Sequence, residues 1–449
     1  MLSFAENKKI WMAAAERCRD TLDGRVKNDI EKYRKGFCTL RFTDSKGNPL
    51  KNVKVTVNQV SHDFGFGANI FMLDEFDSDD YNRIYREEFK KYFNLATVPF
   101  YWDGLEPEQG KPRYSKKSPK VWRRPSPERC IEYCEENGIS PKLHCLVYDK
   151  FIPEWLPRDN MKEMEKLYEE RISQIADRFS GRLLEYEVIN ELLCEPWWNY
   201  KSIISSKRDI IEWSFGLARK YLPDEILVIN EGNPLVPLSE AGYRNSYFMM
   251  IESALKSGAQ IDKIGLQHHI FTGATTTSDE AYEAEVRRGD RAVDPVRLLM
   301  GLDYISELGL PLEMTEVTVP TFGDTPEDEE LQADLLELLY SVWFSHPSMQ
   351  DIVYWNVPDG YAYNNVTRNW NENNCRGGLW HHDLTPKKSA LRLKKLINDV
   401  WHTRLELVTD ENGYVQFRGF YGNYEVSGSD FTSSFGIHKG ENTVSEISL

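Results

Sequence analysis

Two glutamates end two short apolar runs of this chain, Tyr186-Glu187-Val-Ile-Asn190-Glu191 and Glu313-Met-Thr315-Glu316. Paired carboxyls suit the cleavage of a glycosidic bond. One holds a proton for the leaving oxygen, and the other is ionised and faces the anomeric carbon; in a retaining enzyme they stand about 5–5.5 Å apart. A lone Glu at a strand end is more often a helix cap or half of an ion pair. Two such glutamates with polar flanks point to paired chemistry, with Glu191 as acid/base and Glu316 as nucleophile.

Further polar residues follow other apolar runs: His144 with Tyr148 and Asp149, Asn230, Gln267 with His268 and His269, and Trp355 with Asn356. Asn190 can hold a sugar 2-hydroxyl, a contact that tightens as an oxocarbenium-like state forms. His269 can hydrogen-bond Glu316 and keep it ionised and oriented, whereas His268 reads as a core imidazole. Glu313 has the opposite strand parity to Glu316 and should point out of the lumen. Glu187 shares the parity of Glu191; if it faces inward it needs a charged or hydrogen-bonding partner.

Eight apolar runs alternate with helical stretches between about residues 62 and 400: Phe64–Ile70, Leu95–Phe100, Leu143–Val147, Leu184–Ile189, Ile226–Ile229, Ile261–Leu266, Leu310–Met314 and Ile352–Trp355. That repetition predicts a (β/α)8 barrel, whose working residues sit at the C-terminal strand ends. A doubly wound sheet is disfavoured because no Gly-rich phosphate turn follows the first run. Residues 5 to 35 read as helix. An alternating strand over Cys38–Thr43 and a second with Val53, Val55 and Val57 on one face then read as a hairpin. Leu405 and Leu407, a turn at Asp410–Gly413, and Val415 and Phe417 repeat this character at the other end. Neither end has enough strands to stand alone. The expected division is therefore 1–61 (helix and hairpin), 62–400 (barrel) and 401–449, the two ends joining in one small β-sandwich-like module.

The 449 residues suit a barrel of roughly 250–350 residues plus an accessory module. A net charge of −16 argues against nucleic acid and anionic membranes as partners. No apolar run reaches transmembrane length. The N-terminus lacks an apolar core followed by a small-residue cleavage site, which fits a cytoplasmic protein if that terminus is native and a secreted one if a signal has been removed. Seven cysteines at scattered spacing fit free thiols better than a zinc site. Twelve Trp and 23 Tyr suit a cleft that stacks on sugar faces as well as a large core. Eight basic residues crowd into Lys111–Arg129. That run reads as a solvated loop, with a grip on a substrate carboxylate as the alternative.

At these residues the sequence resembles glycoside hydrolase family 10, best known for endo-β-1,4-xylanases. The matching segments come in order: Leu105-Glu-Pro-Glu-Gln-Gly110, His144-Cys-Leu-Val147, Tyr186-Glu-Val-Ile-Asn-Glu191, Ile229-Asn-Glu-Gly-Asn233, Ile264-Gly-Leu-Gln-His-His269, Leu312-Glu-Met-Thr-Glu316 and Val353-Tyr-Trp355. The resemblance implies a retaining double displacement on a β-linked plant-type oligo- or polysaccharide, without metal or cofactor. It implies substrate contacts from His144, Asn190, Gln267, His269, Trp355, Asn230, Trp102 and Tyr148. Two segments depart from the family. Its Glu-Asn and Lys-Trp pairs on strand 2 are replaced by Thr97-Val-Pro-Phe-Tyr-Trp102, and its Trp-His after strand 3 by Tyr148-Asp149. The subsites flanking the cut are thus expected to differ. The alternatives are a retaining enzyme for another β-glycoside, a sugar-binding barrel without catalysis, and a metal hydrolase using His144, Asp149, His268 and His269. Oligomeric state is left open.

Overall fold

The computed structural model describes residues 3–194, 201–275, 278–441 and 443–449. Eight parallel strands close a barrel: β3 (Gly65–Asn69), β4 (Leu95–Pro99), β5 (Ser140–His144), β6 (Glu185–Asn190), β7 (Ile226–Glu231), β8 (Lys263–His269), β9 (Leu312–Thr318) and β10 (Met349–Tyr354), with β10 pairing back onto β3. All eight apolar runs are strands. The expected start at Leu143 is late, because β5 opens on Ser140-Pro141-Lys142 and the barrel interior accommodates the Lys142 ammonium.

Helices separate the strands and bury their inner faces, as in Pro127–Asn137, Met161–Phe179 and Pro326–Ser345. Their ends carry capping residues that satisfy orphan backbone N–H groups. Asn160 accepts from Glu163 N, Asp294 from Val296 N and Arg297 N, and Thr325 with Asp328 forms a capping box.

The lower barrel is charged rather than apolar. Lys142 Nζ lies 2.9 Å from Glu185, 3.0 Å from Glu187 and closer still to Glu313; Lys263 Nζ lies 2.5 Å from Glu185 and 2.7 Å from Asp351. Glu187 thus faces the lumen and has the partner it requires. Glu313, expected to point outward, also lies inside. The parity count fails because β9 bulges: opposite β8, Met314 pairs with Leu266 but Glu316 pairs with Gln267, so Thr315 is an extra residue. A bulge re-aims the side chains beyond it, and both Glu313 and Glu316 face inward. β6 has a similar register shift between Glu187 and Ile189.

Two further sheets draw on both chain ends. β1 (Lys35–Thr43) lies between Tyr414–Phe420 and Thr443–Ser448; β2 (Lys54–Gln59) lies between Arg404–Val408 and Gly422–Ser427, and Thr432–Ile437 completes its sheet. The expected hairpins do not form. β1 and β2 sit in different sheets so that Cys38, Leu40 and Phe42 can face Val55 and Val57 across the module core. Side by side, those residues would share one face with nothing opposite. The helix Phe4–Arg17, expected to belong with these strands, packs on the barrel. Trp11 is fully buried there, 4.7 Å ring to ring from Phe322 and directly against Gly289.

Candidate active site

The strand ends open into one cleft of about 270 Å³ at the C-terminal mouth of the barrel. Glu191 reaches it from the residue after β6, in a left-handed conformation (φ 54°) that non-glycine residues rarely adopt. Its backbone N–H donates to Asn230 O at 3.1 Å, which holds this turn against β7. Glu316 reaches the cleft from β9 just beyond the bulge.

One amide joins the two carboxyls. Gln267 Nε2 donates to Glu191 Oε1 at 3.1 Å and to Glu316 Oε1 at 3.0 Å, so these oxygens are no more than about 6 Å apart, short of the span of inverting pairs (~6.5–9.5 Å). Glu316 receives two further N–H groups. Asn230 Nδ2 donates to Oε1 at 3.2 Å, and His269 Nε2 lies 3.2 Å from Oε2. His269 Nδ1 is 2.9 Å from Thr318 Oγ1. If that hydroxyl donates to Nδ1, the proton stays on Nε2, facing Glu316. Burial pushes His269 down to about 4, so it is a neutral donor. Glu191 Oε2 accepts from the Tyr148 hydroxyl.

Burial pushes Glu316 up to about 8; the nearby His144 pulls it down, and the carboxyls of Glu191, Glu187 and Glu372 push it up again. With Glu316 raised this far, the cleft holds a proton near neutral pH. The three N–H donors on Glu316 favour leaving the charge there, because hydrogen bonds to a carboxylate stabilise its ionised form.

His144 is tied below to Glu187 and above to Tyr101, whose hydroxyl is 2.9 Å from Nε2. Burial opposes charge on this imidazole, but Glu187 outweighs it and raises its pKa. Trp355 closes the floor, edge-on to His144 at 5.4 Å and Phe71 at 5.1 Å.

Of the ten residues singled out from the sequence, eight line the cleft: His144, Tyr148, Asn190, Glu191, Gln267, His269, Glu316 and Trp355. Asn230 lies one layer beneath. Its amide donates to Asn190 Oδ1 at 2.8 Å and its oxygen accepts from Thr315 Oγ1 at 2.6 Å, so it positions others rather than meeting a ligand. Trp102 is turned away. It opens the helical turn Trp102–Leu105, which directs its indole outward onto Tyr168 at 4.8 Å, with Nε1 donating to Glu106 at 3.0 Å. Its neighbour Tyr101 faces the cleft instead.

The four residues considered for a metal do not converge. Asp149 accepts from Lys201 N at 2.7 Å and Ser202 N at 2.8 Å, and His268 lies edge-on to Trp343 in the core, its pKa lowered to about 4 by burial. Among the described residues, two groups come close enough to share a cation. They are His144-Glu187-Glu316, and Glu185-Glu313-Asp351, which the Lys142 and Lys263 ammonium groups already bridge. All seven cysteines are free thiols.

Other wall residues are not marked as site residues by the sequence, among them Arg123, Arg124, Lys150, Phe151 and Glu372. The two arginines belong to the basic run favoured above as solvated. Glu372 carried no signal, since it comes from the irregular segment after β10.

The family model "Glycosyl hydrolase family 10" matches residues 61–394. Among curated proteins, the chain is 26% identical over 405 residues to "Anti-sigma-I factor RsgI6" of Acetivibrio thermocellus, covering 89% of this chain and 45% of that protein. It is 24% identical over 421 residues to "Endo-1,4-beta-xylanase 1" of Arabidopsis thaliana, covering 92% and 39%. The chain thus spans less than half the length of these two relatives. "Endo-1,4-beta-xylanase B" of Thermotoga neapolitana is 23% identical over 335 residues, covering 73% and 85%. Among solved structures, native xylanase 10B from Thermotoga maritima superposes with a TM-score of 0.57 at 20% identity, covering 75% of this chain and 96% of that one, a likeness of fold. The match over the whole barrel, together with the closed eight-stranded sheet, shows that this chain belongs to glycosyl hydrolase family 10.

Proposed function

We propose that the chain is a retaining β-glycosidase that cleaves β-1,4-linked xylan or xylo-oligosaccharides. The observation that carries this reading is the Gln267 amide bridging Glu191 and Glu316 at 3.1 and 3.0 Å. Glu191 gives its proton to the leaving oxygen while Glu316 attacks the anomeric carbon. Negative charge is consumed as the glycosyl-enzyme forms; Glu191 then takes a proton from the water that releases the sugar. Asn190, Gln267 and His144 hold the reacting sugar, and Trp355 and Tyr101 give it apolar faces. The curated xylanases among the relatives, and the membership of the family, support the substrate class.

The test is product analysis by NMR for the wild type and Glu316→Ala on xylan, xylo-oligosaccharides, and aryl β-xyloside, β-glucoside and β-cellobioside. Retained configuration from the wild type and none from the variant supports the reading. Inverted product overturns the mechanism, and a preference for another glycoside overturns the substrate. A second reading, a sugar-binding barrel without turnover, is favoured by one observation: a relative matching 89% of the chain bears a regulator's name. Binding of xylo-oligosaccharide without any product would select it. Among the described residues no helix is long and apolar enough to cross a membrane.

A further inference from the structure

We propose that the cleft takes a glycan carrying a carboxylate, with Arg124 gripping that acidic sugar beside the cut. This rests on the glycan reading above and narrows its substrate. Most of the basic segment has partners outside the cleft. Lys111 pairs with Glu108 at 2.5 Å, Lys116 with Glu132 at 2.7 Å and Arg129 with Asp74 at 2.6 Å, while Arg113 donates to the carbonyls of Gly104 and Pro119 at 2.6 and 2.7 Å.

Arg123 and Arg124 differ, since both line the cleft. Arg123 sits at φ 58°, a conformation unfavourable for a residue with a side chain. Its guanidinium donates to Asn356 Oδ1 at 2.9 Å and to the carbonyl of Tyr361. Next to that anchored backbone, the Arg124 guanidinium carbon lies over the Tyr101 ring, 4.0 Å from its centroid.

Arg124 Nη1 donates to the carbonyl of Arg123 at 3.0 Å, and no carboxylate pairs with Arg124 among the described residues. Its site is close to the chemistry. The Tyr101 hydroxyl is 2.9 Å from His144 Nε2, and His144 Nδ1 is 4.0 Å from Glu316. Lys150 adds positive charge to the same wall. Its ammonium is 5.3 Å, and the Arg124 guanidinium 5.4 Å, from the centroid of the Phe151 ring. Glu372, the third carboxyl of the cleft, is held instead by Asn356 Nδ2 at 2.7 Å. A guanidinium on an aromatic wall, with N–H groups left for a planar acceptor, matches a carboxylate better than a neutral hydroxyl.

The test is calorimetric binding of two ligands to Glu316→Gln, which binds without turnover: xylotetraose, and the same tetraose bearing one glucuronic acid branch. The acidic ligand should bind about tenfold tighter at low salt, the effect of one charge-assisted contact. That ratio should shrink at about 1 M salt, where the Debye length is about 3 Å. Adding Arg124→Met should bring the ratio to about one. Equal binding of the two ligands overturns the inference while leaving the glycan reading intact. A preference that survives Arg124→Met overturns the role of Arg124. If the double variant fails to fold, the salt series on the single variant decides, and a salt-independent ratio overturns the inference. Neither ligand binding, together with no cleavage of either by the wild type, removes the glycan reading and this inference with it.

Discussion

The barrel holds two clusters of buried carboxyls, and they are held in different ways. In the lower layer Glu185, Glu187, Glu313 and Asp351 surround two ammonium groups, Lys142 and Lys263, at ion-pair distance. At the mouth, Glu191 and Glu316 meet amides, a hydroxyl and an imidazole kept neutral by burial. Cations fix a charge state, because losing the carboxylate charge strands an ammonium in a dry interior. Neutral donors tolerate either state. The lower cluster is therefore built to stay as it is, and the upper one to exchange a proton and a negative charge during turnover. His144 joins the two, bound to Glu187 below and 4.0 Å from Glu316 above.

The largest break in this contrast comes from the mouth. Glu316→Ala should lower kcat by about 10^4-fold or more, as the loss of a covalent nucleophile does elsewhere, while the fold persists by circular dichroism. Residual activity near the wild-type level would remove the pair from the chemistry. Next comes the lower layer. Lys142→Met leaves Glu185, Glu187 and Glu313 without their shared ammonium and should cost about 3–5 kcal/mol of stability in denaturant unfolding. An unchanged unfolding midpoint would mean that the lower carboxyls are protonated and need no cation.

The two clusters should also part in their response to pH. The raised pKa of Glu316 means that the folded chain holds a proton that the unfolded chain has released. Stability contributed by that proton is present at low pH and is lost as pH rises from about 4.5 to about 8. Glu316→Gln removes the penalty, so it should stabilise the protein by about 1–3 kcal/mol at pH 8 and by nothing near pH 4. Thermal unfolding across that range measures it, and a pH-independent difference would refute the assignment. The same proton serves the leaving group, so kcat/KM should fall above about pH 8 as the cleft loses it.

Much of this was legible in the sequence for a simple reason. Barrel strands are short apolar runs, and their C-terminal ends are marked by an abrupt change to Asn, Glu, Gln or His, as at Asn190-Glu191 and Gln267-His268-His269. What failed had local causes. Glu313 was misplaced because strand parity assumes no bulge, and Thr315 is an extra residue in β9. Trp102 was misplaced because the chain turns helical straight after Tyr101, which exchanges the residue that faces the cleft. Arg123 and Arg124 sit in a charge run whose other members pair mostly with carboxylates or backbone carbonyls outside the cleft, and charge spacing alone does not separate the two kinds. β1 and β2 resemble a hairpin in sequence because periodicity shows which face is buried but not which sheet buries it.

The smallest expected effect tests how the mouth pair is held. Tyr148 lines the cleft, and its hydroxyl donates to Glu191 Oε2. Burial and the Glu191 carboxylate keep the Tyr148 pKa well above its ordinary value, so this hydroxyl acts as a donor and not as an acid. If it aligns Glu191 with the leaving oxygen, Tyr148→Phe keeps the ring against Phe151 and removes only the donor. The loss should be about tenfold, the size of one such hydrogen bond, and should fall on kcat rather than KM. It should also be larger for a substrate with a poor leaving group, which needs the proton, than for an activated aryl glycoside. An equal loss on both, or a change in KM alone, would make Tyr148 a sugar contact and leave Gln267 to align the acid.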